Sequence, residues 1–327
     1  MSRLLFYTDA HNSGTSPVNR TDDFPRAVVS KICDAYQIAR DRKCDFVVFG
    51  GDMFNTHKIF SFDVIGDIMD AIEGSGMQTW AAIGQHDLEG YNPNTYKSSV
   101  LAFVEKRSKG IFKTITGEVR VGDVSLWASH VWEKLETAKK LPLDKSRYNI
   151  LVAHHLLTNK DELNYSIEDT QKFAINSPFD LVLSGDLHDG YEHHKFGSTW
   201  FCNPGSLARR STSDAPRTPR VAVIDFSKNA DPVIEYVNVP SGRPGSEVFD
   251  FGNALKSLVV GAKSVDLTES EASTKRFTDM VKEFENTSSD IHGIVKQTAV
   301  AMGYDKDVID YLDKKRVELQ TKPEKTA

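Results

Sequence analysis

Apolar runs alternate with helix-like segments along the first third of the chain. Short continuous runs at 4–8, 46–49 and 80–83 are typical of buried strands. Between and after them, apolar residues recur every three or four positions in the segments 24–40, 60–72 and 98–106. This alternation predicts strands that are connected by crossover helices.

The middle of the chain is predicted to be richer in strands. Alternating residues around Val121-Gly122-Asp123 predict a hairpin over 119–129. Further strands are predicted at 150–153, 181–183, 195–201 and 221–226. Two stacked sheets between helices is the most economical arrangement of these elements. We therefore expect an α/β fold, a two-sheet sandwich flanked by helices.

The clearest break in the chain is the Pro-Ser-Gly-Arg-Pro-Gly segment at 240–245. We expect the main domain to occupy 1–240, followed by a small cap or linker at 241–270. Apolar residues with helical spacing then predict C-terminal helices within 271–327, which end in a polar, disordered tail.

Composition narrows the class of protein. The 327 residues carry a formal net charge of −6, so any contact with nucleic acid should be local rather than spread over the surface. Cys33, Cys44 and Cys202 are too scattered for a disulfide framework, which favours reduced thiols. The N-terminal apolar run is too short for a signal peptide, and no run is long enough to span a membrane. We expect a cytoplasmic protein without membrane contact.

Residues that can ligate metals follow five of the apolar runs. They are Asp9-Ala10-His11, Gly51-Asp52, Gly84-Gln85-His86-Asp87, His154-His155 and Gly185-Asp186-Leu187-His188. Converging strand ends of this kind can hold two divalent cations that share a carboxylate. Oxygen and imidazole ligands without sulfur suit Mn, Fe, Zn or Mg. Of the adjacent histidines, we assign the metal to His154, which directly ends its run, rather than to His155, which would face the other way.

The order of these motifs resembles that of the calcineurin-like metallophosphoesterases. Their signature runs Asp-x-His, Gly-Asp, Gly-Asn-His-Asp/Glu, a strand-end His and Gly-His-x-His, and the resemblance covers about residues 4–207. Within that group the chain is most similar to the SbcD-type, or meiotic-recombination-eleven, nuclease subunits. The residues that carry this finer resemblance are Gly51-Asp52-Met53-Phe54 and Asn203-Pro204-Gly205-Ser206. Phage-encoded recombination nucleases of this type have about this length.

The resemblance implies a set of ligands for each of two metal ions. The first ion would be held by Asp9, His11, Asp52 and His188, and the second by Asp52, Gln85, His154 and Asp186. We expect Mn²⁺, with Mg²⁺, Fe²⁺ or Zn²⁺ as alternatives. Gln85 stands where the family has Asn, and Asp186 stands where it has His, but both side chains can still ligate.

The resemblance also implies roles in catalysis and substrate binding. His86 would protonate the leaving oxygen or steady the phosphate. Asp87 would either fix the orientation of His86 or serve only in packing or at the surface. Asn55, where several relatives have His, is predicted to contact phosphate. Arg209 and Arg210 begin a stretch of four arginines that would either bind DNA phosphates or form a solvated loop.

These residues and the resemblance together lead to an expected function. We expect a two-metal DNA exonuclease and endonuclease in recombination and double-strand-break processing. An SbcC-type ATPase would dock on the C-terminal helices, unless these helices cover the core. The helices at 60–72 and 98–106 would pair in a homodimer, unless their apolar stripes pack against the chain's own sheet. The alternatives are a small-molecule phosphodiesterase or phosphoprotein phosphatase, and a weakly active scaffold that binds DNA ends.

Overall fold

A computed structural model describes residues 2–58, 61–158, 168–228 and 230–250. Its helices are α1 (Phe24–Asp41), α2 (Phe62–Ser75), α3 (Val100–Arg107), α4 (Thr170–Ala174) and α5 (Gly245–Val248). Its strands are β1 (Ser2–Tyr7), β2 (Phe46–Phe49), β3 (Thr79–Ala81), β4 (Phe112–Thr114), β5 (Val119–Val121), β6 (Val124–Ser129), β7 (Tyr148–Ala153), β8 (Leu157–Thr158), β9 (Glu168–Asp169), β10 (Leu181–Ser184), β11 (Tyr191–Phe196), β12 (Thr199–Asn203), β13 (Arg220–Ser227) and β14 (Ala230–Asn238). Within these ranges, no helix has the length and apolar character needed to cross a membrane.

Two six-stranded sheets form the centre of the molecule. The first has the strand order β14-β13-β1-β2-β3-β4, and the second has the order β11-β12-β10-β7-β6-β5. Strands β1 to β4 are parallel to one another, as are β6, β7, β10 and β12, while β13, β14, β5 and β11 pair antiparallel with their neighbours. The predicted two-sheet α/β sandwich is therefore confirmed.

The core has three layers because the sheets are buried on both faces. Along β1, Leu5 and Tyr7 pack beneath the helices, whereas Leu4 and Phe6 pack between the two sheets. This follows from the strand geometry, which points successive side chains to opposite faces. A third cluster covers the outer face of the second sheet. Parallel strands read as continuous apolar runs for this reason, which is how the sequence pattern revealed them.

Some of the predicted strand boundaries were wrong. The predicted single strand at 195–201 is an antiparallel pair, β11 and β12, because the chain reverses at Gly197, whose φ of 59° is accessible to glycine. Two observed strands were not predicted: β4, which has three residues, and β14, which lies at a sheet edge and is half exposed. Short strands and edge strands bury too few apolar residues to leave a clear pattern.

The predicted cap at 241–270 and the helices at 271–327 lie outside the described residues, except for 241–250. In that short stretch the chain stays attached to the main domain. Val248 and Phe249 are buried, and the guanidinium of Arg20 lies 4.9 Å from the centre of the Phe249 ring.

A buried lysine on α1 leads to a prediction about stability. The Lys31 amine is buried and has no hydrogen-bond partner in the described part of the chain. Burial, together with the charges of Arg20, Arg209 and Arg217, lowers its pKa from 10.5 to about 7, and Asp22 offsets this only in part. We expect Lys31→Met to raise the free energy of unfolding at pH 7 by ~1–4 kcal/mol, measured by urea denaturation.

The lowered pKa of Lys31 also predicts how the effect of Lys31→Met on stability changes with pH. Between pH 7 and 10.5 the unfolded chain binds more protons at this lysine than the folded chain does, so the wild-type protein should gain stability as the pH rises. The difference in free energy of unfolding between Lys31→Met and the wild-type protein should therefore decrease from pH 7 to 10.5. The exposed Lys97→Met is the matched control. An advantage that stays constant from pH 7 to 10 would contradict the prediction.

Candidate metal centre

The predicted ligands all follow carboxyl ends of parallel strands. Strand β1 leads to Asp9 and His11, β2 to Asp52, β3 to Gln85, β7 to His154, and β10 to Asp186 and His188. The first three strands belong to one sheet and the other two to the facing sheet. The sandwich therefore brings loops from both sheets to one edge, which is where α/β sheets bind ligands.

At this edge the side chains of Asp9, Asp52 and His188 all lie close to that of His11. The His11 Nε2 atom lies 3.5 Å from Asp9 Oδ1 and 3.7 Å from Asp52 Oδ2. It also lies 3.0 Å from His188 Nε2, which is 3.7 Å from Asp9 Oδ1. Ligands of one ion sit about 2.0–2.2 Å from it, so neighbouring ligand atoms are expected at such separations. These are the four residues predicted for the first ion.

The backbone of the centre is unusual as well. Asp9, His11, Asp52 and Asp186 have φ values of 54°, 42°, 57° and 72°. Such left-handed conformations are uncommon for residues other than glycine and cost free energy. Their concentration on the predicted ligands indicates that these loops are held in place to aim side chains.

Asp9 and Asp52 each use one carboxylate oxygen for support, and no hydrogen bond from the described residues reaches the other oxygen. Asp9 Oδ2 accepts the Thr8 hydroxyl at 2.6 Å and the Asp186 N–H at 3.1 Å. Asp52 Oδ1 accepts the His86 N–H at 2.8 Å. Burial opposes ionisation, but the neighbouring histidines hold the pKa of Asp9 and that of Asp52 below their usual range. Both side chains therefore remain carboxylates, the form that binds cations.

The structure brings His154, rather than His155, to the centre. The Nδ1–H group of His154 donates to the Gly50 carbonyl at 2.7 Å, which leaves Nε2 as the ligand atom, 3.4 Å from Asp52 Oδ2. Burial lowers the pKa of His154, but the charges of Asp52 and Asp9 outweigh burial and raise this pKa well above its ordinary value. His155 instead bonds the Ser129 hydroxyl at 2.9 Å. Its pKa falls to about 4 because it is buried.

Four buried ligand atoms test whether metal ions fit this centre. No protein group in the described residues satisfies Asp9 Oδ1, Asp52 Oδ2, Gln85 Oε1 or His154 Nε2. Asp9 Oδ1, Asp52 Oδ2 and Gln85 Oε1 each carry a lone pair, as does His154 Nε2 in the neutral imidazole that ligates a metal, and buried polar atoms are rarely left unpaired. A pair of divalent cations that share Asp52 would satisfy all of them, so the residues present fit a dinuclear site.

The two residues that depart from the family signature contact each other. The Gln85 amide N–H donates to Asp186 Oδ1 at 2.7 Å, while Gln85 Oε1 has no partner in the described residues. The hydrogen bond therefore turns the amide so that its oxygen remains available to a cation. A shorter asparagine would not reach as far, so the longer side chain and the carboxylate suit each other.

The structure changes the interpretation of the His86 motif. The His86 Nδ1–H group donates to the Asn55 carbonyl at 2.7 Å, and a nitrogen of its ring lies within 4.8 Å of ligand atoms of His11 and Asp52. The backbone of Asn55 therefore orients His86, which was the role predicted for Asp87. The fully buried Asp87 instead accepts the N–H groups of Asp52, at 3.0 Å, and Gly84, at 2.9 Å. Burial and the Asp52 charge raise the pKa of Asp87 to about 7.

The predicted DNA contact at Arg209 is wrong. This side chain is 2% exposed, and its guanidinium donates to the carbonyl oxygens of Ala215, Arg217 and Arg243. It holds the loop together from the inside and cannot reach a substrate. Arg210 differs, because it is only partly buried and its Nε has no partner in the described residues.

Sequence reasoning missed some residues that support the centre. The Thr8 hydroxyl donates to the side chain of Asp9, and the Ser206 hydroxyl donates to its backbone carbonyl at 2.8 Å. The role of Ser206 could have been predicted from the sequence, since this residue ends the Asn-Pro-Gly-Ser element that carries the family resemblance. The role of Thr8 could not have been predicted, because a threonine at the end of a strand is common.

Tight packing at Gly84 leads to a prediction about the centre. A Cβ atom at this residue would lie 2.1 Å from Asp52 Oδ1 and 2.7 Å from His154 Nε2. We expect Gly84→Ala to displace both ligands and to weaken Mn²⁺ binding by about 10–100-fold, as measured by calorimetry. Gly74→Ala is the control, because a Cβ there meets nothing within 4 Å. Equal Mn²⁺ affinity in the two variants would contradict the packing argument.

Comparisons with known proteins agree with this fold. A search of curated proteins gives no match. Among solved structures, the purple acid phosphatase PPD1 from yellow lupin (Lupinus luteus) has 13% identity and a TM-score of 0.51, over 76% of this chain and 52% of that one. A dimetal phosphatase from Danio rerio has 9% identity and a TM-score of 0.49, over 72% of this chain and 96% of that one. A model of calcineurin-like phosphoesterases matches residues 2–190, more than half of the sequence. The chain therefore belongs to the calcineurin-like phosphoesterase family.

Proposed function

We propose that this protein is a two-metal phosphodiesterase that cleaves DNA, with exonuclease and endonuclease action in recombination and break processing. Membership of the family supports metal-dependent hydrolysis of phosphoesters. The observation that carries the DNA substrate is Arg210, an arginine beside a dinuclear centre in an acidic protein. Asp52 lies close enough for its charge to act on the pKa of Arg210, which burial lowers.

The positions of His86 and Asp87 support hydrolysis of a phosphodiester at this centre. Two divalent ions at such a centre would neutralise charge on the phosphoryl group and activate water at neutral pH. His86, fixed through Nδ1 by the Asn55 carbonyl, has Nε2 available to give a proton to the leaving oxygen. It would then remain as the neutral tautomer, with Nδ1–H still on Asn55. Asp87 would act indirectly by holding the backbone of Asp52 and Gly84.

Two polar side chains near the centre would bind the phosphate backbone. Arginine can donate two parallel hydrogen bonds to a phosphate, and the Nε atom of Arg210 has no hydrogen-bond partner within the described residues. The side-chain oxygen of Asn55 is buried and likewise has no partner in the described residues. Its amide could donate to a phosphate oxygen beside His86. These contacts are local, as the net charge of −6 requires.

The proposal includes a homodimer and a partner ATPase of the SbcC type. On α2, Val64, Ile65 and Ile68 are buried within the single chain. Phe62 on α2 and Phe103 on α3, however, are 78% and 48% exposed. A second copy could cover both, with its own phenylalanines in the same contact. The segments proposed to bind the ATPase, 277–284 and 308–312, lie outside the described residues.

The deciding experiment incubates labelled linear DNA and bis-p-nitrophenyl phosphate with the protein and Mn²⁺. We expect both to be hydrolysed, and Arg210→Ala to raise KM for DNA by roughly tenfold or more, since a charge-assisted hydrogen bond is lost. Arg120→Ala, which removes a surface partner of Glu118, should change neither reaction.

The alternatives predict other outcomes. Cleavage of the small ester without DNA degradation would favour a small-molecule phosphodiesterase or a phosphoprotein phosphatase. Binding of DNA ends without hydrolysis of either substrate would favour a scaffold.

A further inference from the structure

A cavity lies beside the metal centre, at the carboxyl ends of β3, β4 and β6. Its volume is about 390 Å³, and its walls include Ile83, Tyr96, Trp127, His130, Trp132 and Glu133. Ile83 directly precedes Gly84, which packs against Asp52 and His154. Neighbouring Cα atoms are about 3.8 Å apart, so the cavity and the centre share a wall.

The Trp127 side chain lines this cavity and carries a hydrogen-bond donor that no described residue accepts. Trp127 is 6% exposed, and its indole N–H has no partner in the described part of the chain. An indole can only donate, and a buried donor without an acceptor costs free energy. Tyr96 differs, because its hydroxyl donates to Glu105 at 2.6 Å. Trp127 lines the cavity, so a ligand there that carries an acceptor could pair with this N–H group.

Both ring nitrogens of His130, which lines the cavity, are hydrogen-bonded within the protein. His130 Nδ1 accepts the Ile83 N–H at 3.1 Å, and His130 Nε2–H donates to the Ile115 carbonyl at 2.9 Å. Its backbone N–H donates to one oxygen of Glu133 at 2.7 Å. The carboxylate is thereby held in place with its second oxygen still able to accept. Trp127 and Glu133 both line the cavity, and one carries an unpaired donor while the other carries an acceptor.

A flat aromatic surface lies next to these groups. The rings of His130 and Trp132 are stacked, with centroids 4.7 Å apart and planes at 23°. Trp132 is 37% exposed, although it is a large aromatic residue. One of its faces is thus supported by His130, and the other can stack on a flat ligand.

We propose that this cavity binds a nucleobase of the strand whose phosphate lies at the metal centre. A base is planar, and cytosine and adenine carry an amino donor beside a ring nitrogen acceptor, which matches Glu133 and Trp127. Thymine lacks the amino group and should bind less well. The base must leave its stack to enter, so single-stranded or frayed DNA ends are the preferred substrate. This inference rests on the proposed function, because it specifies the substrate of the same centre.

Binding of nucleosides to the metal-free protein tests the cavity independently of hydrolysis. We expect deoxycytidine and deoxyadenosine to bind, thymidine to bind more weakly, and 2-deoxyribose 5-phosphate not to compete, as measured by calorimetry. Trp127→Phe keeps the ring but removes the N–H group and should weaken binding roughly three- to tenfold. Trp132→Ala removes the stacking surface and should weaken it roughly 5- to 100-fold. Trp200→Phe, in the second sheet away from the cavity, is the control.

A second measurement separates this inference from the proposed function. With Mn²⁺, Trp132→Ala should raise KM for single-stranded DNA while hydrolysis of a dialkyl phosphate without any ring is unchanged. Wild-type protein that does not bind nucleosides at millimolar concentration would overturn the cavity assignment, as would wild-type affinity for nucleosides in both tryptophan variants. A protein that binds nucleosides but does not cleave DNA would overturn the nuclease proposal instead.

Discussion

Replacing Asp52 by asparagine is expected to abolish the binding of metal and, with it, phosphodiesterase activity. Asp52 is the one residue that both sets of predicted ligands share, and its free Oδ2 atom lies within 3.7 Å of His11 and 3.4 Å of His154. Asparagine preserves the size of the side chain and can still accept the His86 N–H, so the loop should keep its shape. Losing the charge should lower Mn²⁺ affinity by more than about a hundredfold, since even residues outside the ligand shell contribute 10–100-fold.

The measurement that checks this is the rise in unfolding temperature on adding Mn²⁺, recorded beside the hydrolysis rate. A ligand that binds only the folded state stabilises it, so the wild-type protein should show the rise and Asp52→Asn should not. Asp70→Asn, an exposed aspartate on α2, is the control and should behave like the wild-type protein. If Asp52→Asn kept both the Mn²⁺ response and the activity, the shared ligand would have to be sought elsewhere.

Replacing His86 by alanine is expected to separate catalysis from metal binding. The imidazole is held by the Asn55 carbonyl and packs edge-on against His11, with ring centroids 4.9 Å apart. We expect turnover to fall by about 10²–10⁴-fold, the usual contribution of a general acid or base, while Mn²⁺ still raises the unfolding temperature.

A matched histidine variant and the choice of substrate sharpen this test. His193→Ala on β11, remote from the centre, should leave both properties unchanged. Activity on an ester with a good leaving group should fall less than activity on DNA, because such a group departs without a proton. If His86→Ala lost the Mn²⁺ response, the residue would be a metal ligand rather than a proton donor.

The local pattern of the sequence determined the fold class and most of the centre. Continuous apolar runs mark parallel strands because both faces of such strands are buried, and runs such as 46–49 coincide with the observed β2. The ligands follow the strands directly, so the order of motifs placed them at one edge of the sandwich. Even the choice of His154 over His155 follows from alternation, because Ile150 and Val152 on the same face pack between the sheets.

Only the tertiary structure decided the partners of the polar side chains. Gln85 and Asp186 are hydrogen-bonded across 101 residues, and Arg209 reaches a carbonyl 34 residues away. From the sequence, a basic residue in a polar loop looks the same whether it faces solvent or the interior. Asp87 likewise sits next to His86 in the chain but bonds the backbone of Asp52, which lies 35 residues away. Apolar periodicity reports which face of an element is buried. A hydrogen bond depends on which loops meet when the two sheets pack, and that information is absent from any short stretch of sequence.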